Sequence, residues 1–279
     1  MLPELTAAQF AILASLGVGV GAVGATVGVG GGFLMVPALL VLFPDADPAT
    51  ITAMSLTAVV LNALSATVGY RRRRRQDLRT GGILIAAAVP SAMVGAYVTT
   101  IVERAQFDVV FGVALLLGAA YLAIRGASLP EQVEPASKGK ERHLVDSDGN
   151  VYAYRVNEPV AGGIAVFAGF IAAFFGIGGG PINVPVMMLA LRIPSQIAVA
   201  TSQLELMVAS AAAVAVHLAL SSGETDQWIR ALILGGGTLV GAQIGIQLLA
   251  GRIGAKAVLL AISASLLIAG ARQVATGFA

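Results

Sequence analysis

The chain interrupts its apolar sequence twice with the same glycine run. Gly28-Val29-Gly30-Gly31-Gly32-Phe33-Leu34-Met35-Val36-Pro37 aligns with Gly176-Ile177-Gly178-Gly179-Gly180-Pro181-Ile182-Asn183-Val184-Pro185 at an offset of 148. Each run lies inside a long apolar stretch, 8–43 and 160–191. A hydrocarbon core is spanned by about 20 residues, so each stretch is too long for one straight span and short for two. Dense glycine breaks a helix. Each stretch therefore reads as a broken or re-entrant helix that turns inside the membrane, which is tolerated only where protein or a water-filled cavity covers the irregular backbone. Six further segments have the length of a plain span: 51–70, 81–101, 107–124, 197–220, 228–250 and 255–270.

Composition agrees. Of 279 residues, 57% are hydrophobic and 11% charged, against about 45–50% and about 25% in soluble domains. That excludes an ordinary soluble enzyme, a disordered chain and a nucleic-acid binder, and leaves an all-α polytopic membrane protein. The absence of cysteine removes disulfides and thiolate metal sites. With only His143 and His217, neither a metal nor another cofactor is expected, and no nucleophile–base pair marks an enzyme. The first apolar stretch has no basic residue before it and reads as retained rather than as a cleaved signal.

The duplication extends beyond the glycines. Ala53-Met54-Ser55 aligns with Ala200-Thr201-Ser202 at 147, and Gly95-Ala96 with Gly241-Ala242 at 146. The expected organisation is a first membrane repeat (1–125), a polar linker with a short β-hairpin (126–158) and a second repeat (159–279). Asp146, Asp148 and Asn150 in the linker resemble the start of a calcium loop, but Val151 and Asn157 stand where that loop needs glycine and an acid.

Loop charge bears on orientation. Arg71–Arg75 directly follow a span and read as a cytoplasmic anchor rather than a nucleic-acid patch. The equivalent loop in the second half, 221–227, carries Glu224 and Asp226 and no basic residue. If each glycine-broken stretch returns to its starting side, each half crosses three times and the second is inverted. If each crosses fully, the halves are parallel and the charge split is lost. The charge pattern favours two inverted repeats.

Inverted repeats with a broken helix in each half are a transporter arrangement, with the substrate between the breaks. Successive glycine N–H groups at a helix N-terminus form an anion-binding nest. The candidate substrate ligands are Gly30, Gly31 and Gly32 with Gly178, Gly179, Gly180 and Pro181. Ser55, Asn183, Thr201, Ser202 and Gln203 would shape the site. Glu205 is the one acid deep in a span; such acids are functional candidates, here for proton coupling or gating. Gly17, Gly21, Gly237, Gly241 and Gly245 have the four-residue spacing of close helix packing. His217 reads as structural.

These runs, GVGGGFLMVP and GIGGGPINVPVMM, followed by Ala200-Thr201-Ser202, resemble the TauE/SafE sulfite-exporter family over nearly the whole chain. That resemblance implies a multi-pass cytoplasmic-membrane transporter of sulfur-containing anions: sulfite, sulfoacetate or aromatic and aliphatic sulfonates. The residues themselves indicate only an anion, so an anion channel and a carrier of a non-sulfur anion such as a carboxylate stay open. The expected partners are a small anionic substrate, protons, the lipid bilayer and a second copy in a homodimer; no nucleic acid is expected.

Overall fold

Polar residues just outside the apolar stretches start the helices. In the computed structural model, which describes residues 6–126, 139–220 and 225–249 and helical positions between 263 and 275, Thr6 and Gln9 form a capping box ahead of α1 (Ala7–Val27). Asp47 caps α3 (Pro48–Arg72), whose first residue is a proline that has no N–H to leave unpaired. Asp77 caps α4 (Leu78–Thr99) and Asn157 caps α6 (Glu158–Phe174). Two half-length helices follow the glycine runs: α2 (Gly32–Leu42) and α7 (Gly180–Leu189). Each contains a proline at the equivalent place, Pro37 and Pro185. The remaining helices are α5 (Arg104–Gly126), α8 (Ser195–Leu220) and α9 (Thr225–Ile244), the last running on into a π-turn at Gly245–Leu249.

Among the described residues, six helices are long and apolar enough to cross a membrane: α1, α3, α4, α5, α8 and α9. The chain is a multi-pass membrane protein. Five of the six plain segments read from the sequence fall on α3, α4, α5, α8 and α9. The sixth, 255–270, lies largely outside the described residues.

Small residues bring the helices together and fix their directions. Gly17 meets Leu234 and Gly237, Gly241 meets Val18 and Ala22, and Gly245 meets Ala22 and Thr26, so α1 and α9 run side by side in one direction. In the same way Gly162 meets Ile83, Gly169 meets Ala88, and Gly95 meets Phe170 and Phe174, so α6 runs with α4. The two contacts use equivalent glycines: Gly21 and Gly241 in one, Gly169 and Gly95 in the other. Such backbone-to-backbone approach is available only to small residues, and it is how membrane helices gain packing without a hydrophobic drive between them. Helix α3 also runs with α9, from the Thr50–Gln227 bond to the Arg73 bond on Ile246 O. It runs against α8: Thr52 lies beside His217, while Thr57 and Val60 lie beside Ala211 and Val214. Because α1 and α3 point the same way, the chain must reverse between them, and α2 carries it back.

Strands β1 (Lys140–Val145) and β2 (Val151–Val156) form an antiparallel hairpin that docks on the α3–α4 connection. Asp146 is the anchor. It accepts hydrogen bonds from the N–H groups of Asp148 and Asn150, from Asn150 Nδ2 and from Arg75. Burial alone would push its carboxyl up, but these donors outweigh burial and hold it well below the usual carboxylate range. Ser147 N–H donates to Arg73 O, and Tyr154 Oη to Asp77.

Candidate functional site

The glycine runs end α1 and α6 and start α2 and α7. Gly28 caps α1 with φ +83°, and Gly176 holds the equivalent turn with φ +69°, a region that L side chains disfavour. The two turns cross. A methyl carbon on Gly32 would fall 2.3 Å from Ile177 O, and one on Gly180 would fall 2.2 Å from Val29 Cα. Val59 and Leu206, equivalent positions on α3 and α8, both stand against Gly30 and Gly178. At this crossing α2 and α7 both begin, so the positive ends of two helices lie together.

Several amides here have nothing to donate to. The N–H groups of Gly31, Gly32 and Phe33, and those of Gly178, Gly179 and Gly180, reach no acceptor among the described residues, and neither half-helix has a side-chain cap, whereas the N–H of Gly30, expected among the ligands, donates to Gly24 O at 3.2 Å. All six residues are buried. Native proteins pair the great majority of their buried N–H groups, and leaving one unpaired costs about 1–3 kcal/mol. Two adjacent sets of such donors at helix N-termini are chemically suited to bind an anion.

The candidate side chains surround the crossing in distinct roles. Ser55 Oγ donates to Gly176 O at 2.6 Å, and Ser202 Oγ to Gly28 O at 2.8 Å. Each serine thus holds the glycine turn of the other half. Gln203 Nε2 donates to Gly24 O, and its Oε1 has no partner among the described residues. Thr201 faces away from the crossing, its hydroxyl accepting from Asp77 N–H at 3.1 Å. Pro181 occupies the first turn of α7, where its missing N–H leaves no orphan. Asn183 Nδ2 donates to Glu205 Oε2 at 2.5 Å, and Glu205 Oε1 has no partner among the described residues. This pair lies directly on the second turn: a methyl carbon on Gly179 would come 2.6 Å from Asn183 Nδ2 and 3.5 Å from Glu205 Oε2. The first half has Met35 and Ala58 at the equivalent places, so the polar pair is one-sided. Asn183 and Glu205 are 1% and 0% exposed, so solutes reach them only if helices part.

Asn62 is a polar residue of α3 that the sequence already suggests should face the interior, and two further features were not read from the sequence as part of the site. Asn62 donates to Gly21 O and ties α3 to α1. Asp77 collects the N–H groups of Arg79 and Thr80, Thr80 Oγ1 and Tyr154 Oη, which links the hairpin to Thr201. An apolar cavity of about 250 Å³ adjoins the crossing, walled by Phe33, Phe111, Phe175, Ile177 and Pro181. Among the described residues, no group of three or more His, Asp or Glu side chains is placed to hold a metal ion.

Crossed half-helices with facing N-termini in a multi-pass chain define a membrane protein of the solute-transporter class. The family profile described as "Sulfite exporter TauE/SafE" matches residues 13–273. The chain belongs to the TauE/SafE family, and the family and a curated relative both point to a membrane transporter. Among curated relatives, the "Probable membrane transporter protein YunE" of Bacillus subtilis (strain 168) is 34% identical over 243 residues, covering 85% of this chain and 87% of the relative. No solved structure matches the chain significantly.

Proposed function

We propose that the protein is a secondary transporter that carries a small sulfur-containing anion across the cytoplasmic membrane. The observation that carries this reading is the set of unpaired, buried amides where the two glycine turns cross. Anionic oxygens of sulfite, sulfoacetate or another sulfonate would accept from Gly31, Gly32 and Phe33 on one side and Gly178, Gly179 and Gly180 on the other. No arginine or lysine is needed, and a site of neutral dipoles releases its ligand readily. The adjoining apolar cavity favours an anion with an organic tail over a bare inorganic one.

The halves are read as inverted repeats related by a pseudo-twofold axis in the membrane plane. Support comes from the antiparallel run of α3 and α8, and from the repetition of the α1–α9 contact in α6–α4. Arg71–Arg75 then lie on the cytoplasmic side. Full burial of the site fits a state closed to both faces, and alternating access follows from one repeat rocking against the other. Glu205, joined to Asn183 beside the α7 amides, is read as the proton-coupling group: a charged carboxylate there competes with an incoming anion for the same donors, and a protonated one does not.

Flux of sulfite, sulfoacetate and an aromatic sulfonate into proteoliposomes, with and without a pH gradient, tests the reading. Wild type is expected to move at least one of them selectively, and Gly179→Val to lose that flux. If well-folded wild type moves none, the sulfur assignment fails. If it moves sulfonates and Gly179→Val does so equally well, the site lies elsewhere. Flux at channel rates without counterflow would favour an anion channel.

A further inference from the structure

The offset that pairs Ser55 with Ser202 and Val59 with Leu206 also pairs Tyr70 with His217. The two side chains are chemically unlike, yet each is 3% exposed. Each lies the same distance along its helix beyond the crossing, about 16 Å from Val59 or Leu206 at the rise of an α-helix. The helices run in opposite directions, so Tyr70 lies toward the arginine-run face and His217 toward the other.

Their surroundings correspond as well. Tyr70 Oη donates to Ala25 O at 2.9 Å, just before α1 enters the first glycine turn. Its ring belongs to a buried cluster with Ala25, Ala66, Ala200, Ala242 and Ile246, packed against Val199. Val199 is the residue that a methyl carbon on Gly28 would strike. On the other side, His217 Nε2 lies 3.4 Å from Thr52 Oγ1, and Thr52 is the residue that a methyl carbon on Gly176 would strike. Thr52 and Val199 are again equivalent positions. One large ring thus stands beyond each glycine turn. Four of the five residues that share the cluster with Tyr70 are alanines, which are too small to fill its place. Among the described residues each ring is restrained by one hydrogen bond, which a rotamer change breaks.

We propose that Tyr70 and His217 are the two gates of the path through the glycine crossing. Tyr70 closes it toward the arginine-run face and His217 toward the opposite face. The proposal rests on the reading of that crossing as the transport site. Alternating access requires the two rings to open in turn and never together: one swings aside while the other stays in place.

The chain has no cysteine, so a single introduced thiol is the only one present. Val59→Cys puts it at the crossing. Its labelling by a membrane-impermeant anionic thiol reagent is then timed from each face of oriented proteoliposomes. Adding Tyr70→Ala is expected to speed labelling from the arginine-run face by about tenfold or more, a decade in the closed–open population, and to leave the opposite face unchanged. Adding His217→Ala is expected to do the reverse. Tyr70→Phe and His217→Phe, which keep a ring but lose its hydrogen bond, should label more slowly than the alanine variants. If an alanine variant fails to fold, Tyr70→Leu or His217→Leu is read in its place. Unchanged rates on both faces, or acceleration from the wrong face, would overturn the proposal. Labelling needs no substrate, so the two readings fail separately. Side-specific gating with no protection by any sulfonate keeps the gates and removes the anion site. Protection by a sulfonate without any effect of the gate variants does the opposite.

Discussion

Gly180→Ala perturbs the crossing with the smallest possible change. The new methyl carbon falls 2.2 Å from Val29 Cα and 2.5 Å from Val29 C, both backbone atoms, whereas ordinary contact begins at 3.4 Å. No rotamer change relieves the clash. The two glycine turns must separate by about 1 Å, or the first turn of α7 must unwind; overpacking of this kind costs about 1–3 kcal/mol. The same displacement moves one set of amides relative to the other, so anion binding should fall with stability. Gly19→Ala is the control, because nothing lies within 4 Å of its added carbon, and alanine in a helix interior gains about 0.5–1 kcal/mol over glycine. Thermal unfolding in detergent and sulfonate flux in proteoliposomes, measured on the same preparations, should separate the two. Gly180→Ala is expected to lower Tm and lose most flux, and Gly19→Ala to hold or raise Tm and keep flux. Equal Tm and flux in both would refute the backbone-to-backbone crossing.

Further outcomes follow from the same contacts. Ser55→Ala and Ser202→Ala each strip a buried glycine carbonyl of its side-chain donor and should each destabilise by about 1–3 kcal/mol; denaturation of the single variants checks this, and a neutral Ser202→Ala would show that Gly28 O is satisfied in another way. Glu205→Gln keeps an acceptor for Asn183 but cannot exchange a proton, so flux is expected to continue while losing its response to a pH gradient; a retained response would place coupling elsewhere. The lowered pKa of Asp146 means that its contribution to hairpin docking is fully present above the ordinary carboxylate range and is lost only as pH falls through the lower folded-state value. Exchange protection of β1 and β2, corrected for intrinsic rate, should therefore persist through about pH 4, and Asp146→Asn should lower it even at neutral pH; loss of wild-type protection on approaching pH 4 would contradict this.

The helix breaks were legible because glycine and proline act locally. A dense glycine run cannot continue a helix, and Gly28 and Gly176 end theirs. Helix packing at Gly17 and Gly241 was legible for a similar reason, since spacing alone puts small residues on one face. The crossing partners were not legible. That Gly32 would strike Ile177 depends on how two distant turns meet, and nothing local encodes it. Ser55 and Ser202 could be aligned, but each reaches across to the other half, a direction that no spacing reveals. Thr201 shares the aligned triplet and yet faces Asp77, because the next residue along a helix points about 100° away. His217 read only as structural and Tyr70 was not singled out, because their equivalence is positional and their chemistry differs. The Asn183–Glu205 bond joins residues on separate helices; the lone intramembrane acid was visible, but its partner was not.

The central claim is that an anion is held by backbone amides at the glycine crossing. Solid-state NMR of glycine-labelled protein in lipid bilayers tests it most directly, with sulfite or sulfoacetate added in increasing amounts. The account expects saturable amide shifts at Gly31, Gly32, Gly178, Gly179 and Gly180, with little change at Gly19 or Gly236. Shifts absent from these glycines under conditions where the protein transports the anion would contradict it.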